Sequence, residues 1–271
     1  VTLEGIDLAS HQGDYGYPTN PDFAIIKASG GHSYRNGYLP PQVLNARAKN
    51  VICGFYHYMF EPSVGGGDVD REAANFIDAC RPYVEVGSTF WLDVEEFPAQ
   101  VGFTGDLGGW IVSFCEQVER AFGCVCGVYC ATWYLDPTGL FMDQRLARFP
   151  FWMASWQEEI PDKKFMAPWR ELTLHQYDAN GIDKDRFYGT REAFLALGVP
   201  ALQGPPQEDP IVARSYLDPS GVPVTEIRWG GQMTEILGTD YVNVGIRGRN
   251  AAGDVYHRSI VNGEGQAYVK E

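Results

Sequence analysis

Seven short apolar runs, each followed by a longer intervening stretch, set the strongest constraint on what this chain can fold into. The runs are Gly5 to Ala9, Phe23 to Ala28, Val51 to Met59, Thr89 to Val94, Cys124 to Cys130, Phe151 to Trp156 and Glu171 to Tyr177. They are apolar on both faces, as strands are when helices cover one side and a core fills the other. Helical signals lie between them at Pro40 to Asn50, Asp68 to Cys80 with an Asp cap, Asp106 to Phe122 and Phe141 to Arg148. Such alternation predicts a parallel sheet wrapped by helices, an α/β fold. Seven strands within about 200 residues suit a closed (β/α) barrel better than an open sheet. A weaker eighth strand is expected near Ile182 to Phe187.

The pattern changes between Gly198 and Pro210, where four prolines and little periodicity mark a linker. The expected division is a barrel domain over 1–200, a Pro-rich linker over 201–210 and a small module over 211–271. In that module Val222 to Trp229, Tyr241 to Gly248 and Val255 to Val261 alternate and are separated by glycine turns, which predicts an all-β C-terminal module. No internal repeat is present.

Charge narrows the partners. A formal net charge of −14 argues against nucleic acid, which needs a surplus of Lys and Arg to neutralise phosphates. No apolar run reaches the roughly 18 to 20 residues of a membrane span, so membrane insertion is not expected. Val1-Thr2-Leu3-Glu4 shows no signal peptide, although a leader already removed leaves the same trace. Neither a G-x-S-x-G serine elbow nor a phosphate loop ending in Lys occurs. Gly65-Gly66-Gly67 lacks such a lysine and reads as a hinge or tight turn. The six cysteines, at 53, 80, 115, 124, 126 and 130, include no CxxC pair and read as buried free thiols, ahead of a disulfide or a metal site. His57 and His175 read as core histidines, His11 and His32 as loop residues. No cofactor or metal is expected.

Carboxylates at the C-terminal ends of barrel strands point into the mouth where such barrels place chemistry. Asp7 ends the first run; Asp93 and Glu95 end Phe90-Trp91-Leu92-Asp93-Val94-Glu95; Asp178 and Asp183 follow His175-Gln176-Tyr177. Residues two apart on a strand face one side, so Asp93 and Glu95 share a cavity while Val94 points outward. Crowded acids in a low dielectric raise one another's pKa, leaving a proton-holding acid beside an ionised one. That is the equipment for glycosidic bond cleavage. Aromatic residues make up 14% of the chain, and Tyr56, Tyr58, Trp133, Trp152 and Trp156 fall at or just beyond strand ends, where sugar rings could stack on them.

In this arrangement the motifs resemble the family 25 glycoside hydrolases, lysozymes common among phage endolysins. Gly5-Ile6-Asp7-Leu8-Ala9-Ser10-His11-Gln12-Gly13 is similar to the family's opening strand and turn, with Ala9 where Ser is usual. Phe23 to Ser29 resembles its second strand, with Gly30 where an acid is often found. Gly54 to Tyr58, Leu92 to Glu95, Gly127 to Tyr129, Phe151 to Trp156 and His175-Gln176-Tyr177 with Gly181-Ile182-Asp183 follow in order.

The resemblance implies an irregular TIM-like barrel and an N-acetylmuramidase that cuts the β-1,4 bond between N-acetylmuramic acid and N-acetylglucosamine of bacterial peptidoglycan, at the cell wall, after host lysis or secretion. It implies Glu95 as proton donor with Asp7, Asp93 and Asp183 as acidic companions, Asp183 being preferred over Asp178. Tyr56, Trp152, Gln176, Tyr58, Trp133 and Asp178 are the expected substrate-binding set. In endolysin-like chains a module after the catalytic domain usually binds the wall, so a second wall polymer is the expected ligand of the tail, with an oligomerisation or purely structural role as the alternative. Two alternatives stay open: hydrolysis of another amino-sugar polymer such as chitin, and carbohydrate binding without catalysis. Retaining and inverting chemistry also both stay open. Cα atoms two strand positions apart lie about 6.5 Å from one another, a spacing that does not separate the carboxyl gaps of the two mechanisms.

Overall fold

The computed structural model describes residues 1–160, 162 and 166–200, together with the backbone of 212–217, 223–229, 232–237, 247–249 and 255–256. The chain forms two compact units, Val1–Ala201 and Leu202–Glu271.

The first unit is a barrel. Its strands are β1 (Leu3–Leu8), β2 (Phe23–Gly30), β4 (Ile52–Tyr58), β5 (Phe90–Asp93), β6 (Cys126–Ala131), β7 (Phe151–Ala154), β8 (Leu174–Asp178) and β9 (Asp183–Phe187), with a short β3 (Tyr34–Arg35) paired to the end of β2. Neighbours run β1-β9-β8-β7-β6-β5-β4-β2, and β1 pairs with β2 to close the ring. The expected all-parallel sheet needs one correction: β9 runs antiparallel to both β8 and β1. Only residues 179–182 separate it from β8, with Gly181 at φ 93°, and a parallel crossover takes a dozen or more residues. A chain turning back that tightly can only make a hairpin.

Alternation along each strand builds two layers. Leu3, Phe23, Ile25, Trp91, Trp152 and Phe187 belong to the cluster that fills the barrel. Ile6, Leu8, Phe55, Leu92, Val128 and Met153 belong to the layer beneath the helices. Inward-facing glycines make room for the large rings: a Cβ at Gly127 would collide with the Trp91 ring, and one at Gly5 with Phe23. Overfilling such a position costs typically about 1–3 kcal/mol.

The helices are α1 (Leu39–Ala48), α2 (Val69–Cys80), α3 (Leu107–Phe122), α4 (Thr132–Thr138) and α5 (Arg191–Leu195). Asp68 caps α2 by accepting from the backbone N–H of Asp70 and Arg71, both at 3.2 Å. Asp106 caps α3 through Gly109 N–H at 3.0 Å, and Gly123 at φ 70° ends that helix. Phe141 to Arg148 is not the expected helix. It forms two 3-10 turns, Leu140–Met142 and Gln144–Arg148, because Asp143 stays extended between them and caps the second through Arg145 N–H. α4, unanticipated, directly follows β6. No helix among the described residues is long and apolar enough to cross a membrane, and all six cysteines are free.

The second unit is all-β in its described segments. β10 (Val212–Leu217), β11 (Pro223–Trp229) and β12 (Gln232–Leu237) form an antiparallel sheet, and β13 (Arg247–Arg249) pairs with β14 (Val255–Tyr256). β11 matches the expected strand at Val222 to Trp229. The 201–210 linker and most of the two later expected strands lie outside the described residues.

Candidate active site

Four acidic side chains named from the sequence converge at one end of the barrel. Asp7 sits near the end of β1 opposite Asp183 at the start of β9. This antiparallel pairing is what brings a residue 176 positions later in the sequence beside the first strand. Asp93 closes β5, between Tyr58 on β4 and Tyr129 on β6. The next two residues keep the strand's alternation. Val94 is fully buried in the outer layer, and its N–H donates to Tyr129 O at 2.9 Å. Glu95 thereby returns to the inner side with Asp93.

Burial and mutual repulsion raise every member of this set. The Asp7 carboxyl is pushed up to about 8, first by burial and then by Asp183, with Glu95 adding to it; the hydrogen bond from Gln176 and the neighbouring Asp185 carboxyl pull the other way. Asp93 is held well above the carboxylate range by burial and by Glu95. Glu95 is raised by burial, with Glu96 and Asp183 contributing and Tyr129 and Lys27 opposing. Asp183 is raised by burial and by Asp178, against His11. Asp93 Oδ1 is buried and has no hydrogen-bond partner within the protein. The site therefore holds protonated carboxyls at neutral pH and one acceptor oxygen free for a ligand.

The expected substrate-binding residues separate into distinct positions. Trp152 and Tyr56 are 2% and 8% exposed and form the floor, edge to face with ring centroids 6.3 Å apart. Gln176 is equally buried, and its amide is occupied: Nε2 donates to Asp7 Oδ2 at 2.8 Å, while Oε1 accepts from Tyr129 OH at 2.9 Å and Trp156 Nε1 at 3.1 Å. Tyr58 is half-buried and donates to Glu96 Oε1 at 2.7 Å. Trp133, 57% exposed, stands on α4 beside Phe97, and Trp156 is 62% exposed beyond β7. Asp178 pairs with Lys184 at 2.8 Å, which holds its carboxyl down, at about 2.

Two residues at the site had no place in the sequence reading. Lys27, on the inner face of β2, pairs with Glu61 at 3.1 Å and lies over the Tyr58 ring at 4.3 Å. Its signal was its spacing, two residues beyond Ile25 on the inward side. Asp185 is fully buried and accepts from Trp152 Nε1 at 2.8 Å; the same two-residue rule that joins Asp93 to Glu95 joins it to Asp183. His57 and His175 are the core histidines expected, each fully buried and hydrogen-bonded through both ring nitrogens. Among the described residues no group of three or more His, Cys, Asp or Glu is arranged to hold a metal ion.

The family model of the glycosyl hydrolases family 25 matches residues 6–186. The chain belongs to this family. It is a glycoside hydrolase of the lysozyme type, and the match spans every strand that contributes to the site. Lysozyme M1 of Streptomyces globisporus is 27% identical over 213 residues, covering 72% of this chain and 71% of that protein. The bacterial lysozyme from Streptomyces coelicolor superposes with a TM-score of 0.58 at 22% identity, over 72% of this chain and 96% of that one. The catalytic domain of endolysin ply40, from bacteriophage P40 of Listeria monocytogenes, does so with a TM-score of 0.56 at 19% identity, over 73% and 97%. At these identities the two structures speak for the fold, which this glycoside hydrolase shares with them.

Proposed function

We propose that this family 25 hydrolase is an N-acetylmuramidase acting on the peptidoglycan of bacterial cell walls. Its similarity to a lysozyme supports the substrate, and the convergence of Asp7, Asp93, Glu95 and Asp183 at one barrel mouth carries the chemistry. Glu95 is the proton donor. Its carboxyl is raised by burial and neighbouring acids, which favours the protonated form that donates to the leaving oxygen. Asp93 orients the substrate's 2-acetamido group: its unpartnered buried Oδ1 is an acceptor suited to an amide N–H. The acetamide oxygen then attacks the anomeric carbon as the glycosidic bond breaks, and water opens the resulting ring with retention. Asp183 adds negative field around the oxocarbenium-like transition state, and Asp7, which holds its proton up to about 8, joins it when it ionises. Exposed Trp133 and half-buried Tyr58 line the sugar path above the Trp152 and Tyr56 floor. The unit from Leu202 onward serves as a wall-binding module, and the enzyme reaches its substrate through host lysis or secretion.

The test is digestion of purified Gram-positive peptidoglycan by wild type and Glu95→Gln, with the new reducing ends identified by mass spectrometry. Muramic acid ends from the wild type alone are expected. Glucosamine ends would make the enzyme a glucosaminidase, chitin fragments alone would move it to chitin, and full activity of Glu95→Gln would remove Glu95 as the acid.

A further inference from the structure

Asp185 lies beneath the constellation just described, and none of the roles above uses it. It sits on the inner side of β9, opposite Gly5 on β1 and Gln176 on β8, and is fully buried. Its Oδ1 accepts from Trp152 Nε1 at 2.8 Å. Its Oδ2 is buried and accepts from nothing in the protein, yet the carboxyl is within hydrogen-bonding reach of the Asp7 carboxyl. Two carboxylates cannot face each other in a dry barrel without one retaining a proton. A buried carboxyl oxygen without a donor, set against a second carboxyl, is satisfied when it is itself the donor.

The surroundings favour that proton. The groups facing Asp185 are Asp7 from β1, Gln176 from β8, Trp152 from β7 and Asp183 from its own strand, all acidic or neutral. The cations adjacent in sequence are turned elsewhere, Lys184 to Asp178 at 2.8 Å and Arg186 to Glu4 at 2.7 Å. Trp152 occupies Oδ1, so Oδ2 is the oxygen left to carry hydrogen. Asp7, by contrast, already receives a hydrogen bond from Gln176, which favours its ionised form.

We propose that Asp185 keeps its proton while Asp7 ionises, and donates it from Oδ2 to the Asp7 carboxylate. Asp185 is thus a positioning residue: it fixes where Asp7 points and the pH at which Asp7 becomes charged. The inference rests on the reading of Asp7 as part of the glycosidase site.

Two variants test it. In Asp185→Asn the amide donates permanently from Nδ2 and still accepts from Trp152, so kcat/KM stays within about 3-fold of wild type and the acid limb of the pH profile stays in place. In Asp185→Leu both hydrogen bonds are gone. There kcat falls at least about 30-fold, and the ionisation of Asp7, followed by NMR of its 13C-labelled carboxyl, moves up by about one unit or more. A purely structural role would lower stability without moving that ionisation. A greater than tenfold loss in Asp185→Asn, an unmoved Asp7 in Asp185→Leu, or an Asp185 carboxyl that titrates before Asp7 in the wild type would each overturn the proposal. If the Leu variant does not fold, the Asn variant and the wild-type titration still decide it. A wild type that cleaves no peptidoglycan defeats the muramidase reading instead, while the titration, which needs no substrate, still rules on the proton.

Discussion

Gln176 on β8 reaches over β9 to donate its Nε2 hydrogen to Asp7 Oδ2 on β1, at 2.8 Å. The same amide accepts from Tyr129 and Trp156, so one side chain ties β8 to β1, to β6 and to the segment after β7. An amide so engaged has little left to offer a substrate. Gln176→Ala strips a donor from Asp7 and leaves the Tyr129 and Trp156 donors without their acceptor. The expected result is a stability loss of about 1–3 kcal/mol and a kcat loss of about 10- to 100-fold, with the Asp7 ionisation moved upward. Urea unfolding and a pH series of initial rates check this; a rise in KM alone would mean that Gln176 binds sugar directly.

Asp93→Asn separates charge from shape. The carboxyl is buried, raised well above its usual range and short of a partner at Oδ1, so an isosteric amide removes repulsion from Glu95 and costs the fold nothing. Catalysis should fall by about 10²- to 10³-fold, because the acceptor that orients the acetamide and the field at the transition state are both weakened. Thermal unfolding should stay level or rise. Wild-type turnover in Asp93→Asn would exclude the assigned role.

Those carboxylates were legible because strand alternation is a two-residue rule that needs no partner strand to apply. Asp93 and Glu95 follow it even though β5 formally ends at Asp93, since Val94 is drawn into the outer core. Asp183 was a candidate from its position after His175-Gln176-Tyr177, and family resemblance preferred it over Asp178; its place beside Asp7 depends on β9 running backwards, a consequence of the short turn after Asp178 that the alternating pattern upstream does not announce. Asp185 was hidden for a related reason. A charged residue two positions from a recognised acid reads as a surface side chain in Asp183-Lys184-Asp185-Arg186, and only the barrel's closure buries it. Trp152 and Gln176 were expected to bind substrate, yet both are buried and the Gln176 amide is taken up by its neighbours: whether a side chain is offered to a ligand or consumed by its neighbours is set by packing from strands distant in sequence. α4 escaped notice because Pro137 lies inside it, where proline ordinarily argues against helix.

Asp7 makes stability depend on pH in the direction opposite to a paired carboxylate. The folded protein holds the Asp7 proton up to about 8, whereas an unfolded Asp releases it near its ordinary value of about 4. Between those values the native state binds more protons than the unfolded one, so stability falls as pH rises from about 4 to about 8. Asp7→Asn abolishes this contribution. It should be inactive yet more stable than wild type at pH 8, by on the order of 1–3 kcal/mol, with the gain vanishing near pH 4. Calorimetric Tm values of both proteins across that range provide the check, and a gain that does not change with pH would contradict the link to Asp7.

Glu72 anchors the wall of the barrel behind the site. It is fully buried on α2, where Oε2 accepts from His57 Nε2 at 3.0 Å and from Phe60 N–H at 3.0 Å, and Oε1 accepts from Gly67 N–H at 2.7 Å. His57 completes the chain, with Nδ1 2.9 Å from Ser29 Oγ on β2. Burial lowers the His57 pKa, with Glu72 opposing, so the neutral ring donating from Nε2 and accepting from Ser29 satisfies every polar atom in the chain. The triglycine read from sequence as a hinge or tight turn takes its place here: Gly65 and Gly67 adopt φ of 79° and 100°, and a Cβ at Gly66 would press on Phe60 and Glu72. One carboxylate thus fastens β4, α2 and the loop between them, the loop that carries Glu61 to Lys27. Glu72→Ala leaves two buried donors, His57 Nε2 and Phe60 N–H, and the part-buried Gly67 N–H unpaired, and the expected destabilisation is about 3–5 kcal/mol. Because Glu72 faces away from the barrel mouth, kcat per folded molecule at low temperature should stay within about 5-fold of wild type, the residual effect passing through the Glu61 loop. Urea denaturation with an unchanged m-value, alongside rates normalised to folded protein, tests both halves; a stability loss below about 1 kcal/mol would show that water replaces the carboxylate, and the anchoring role would fall.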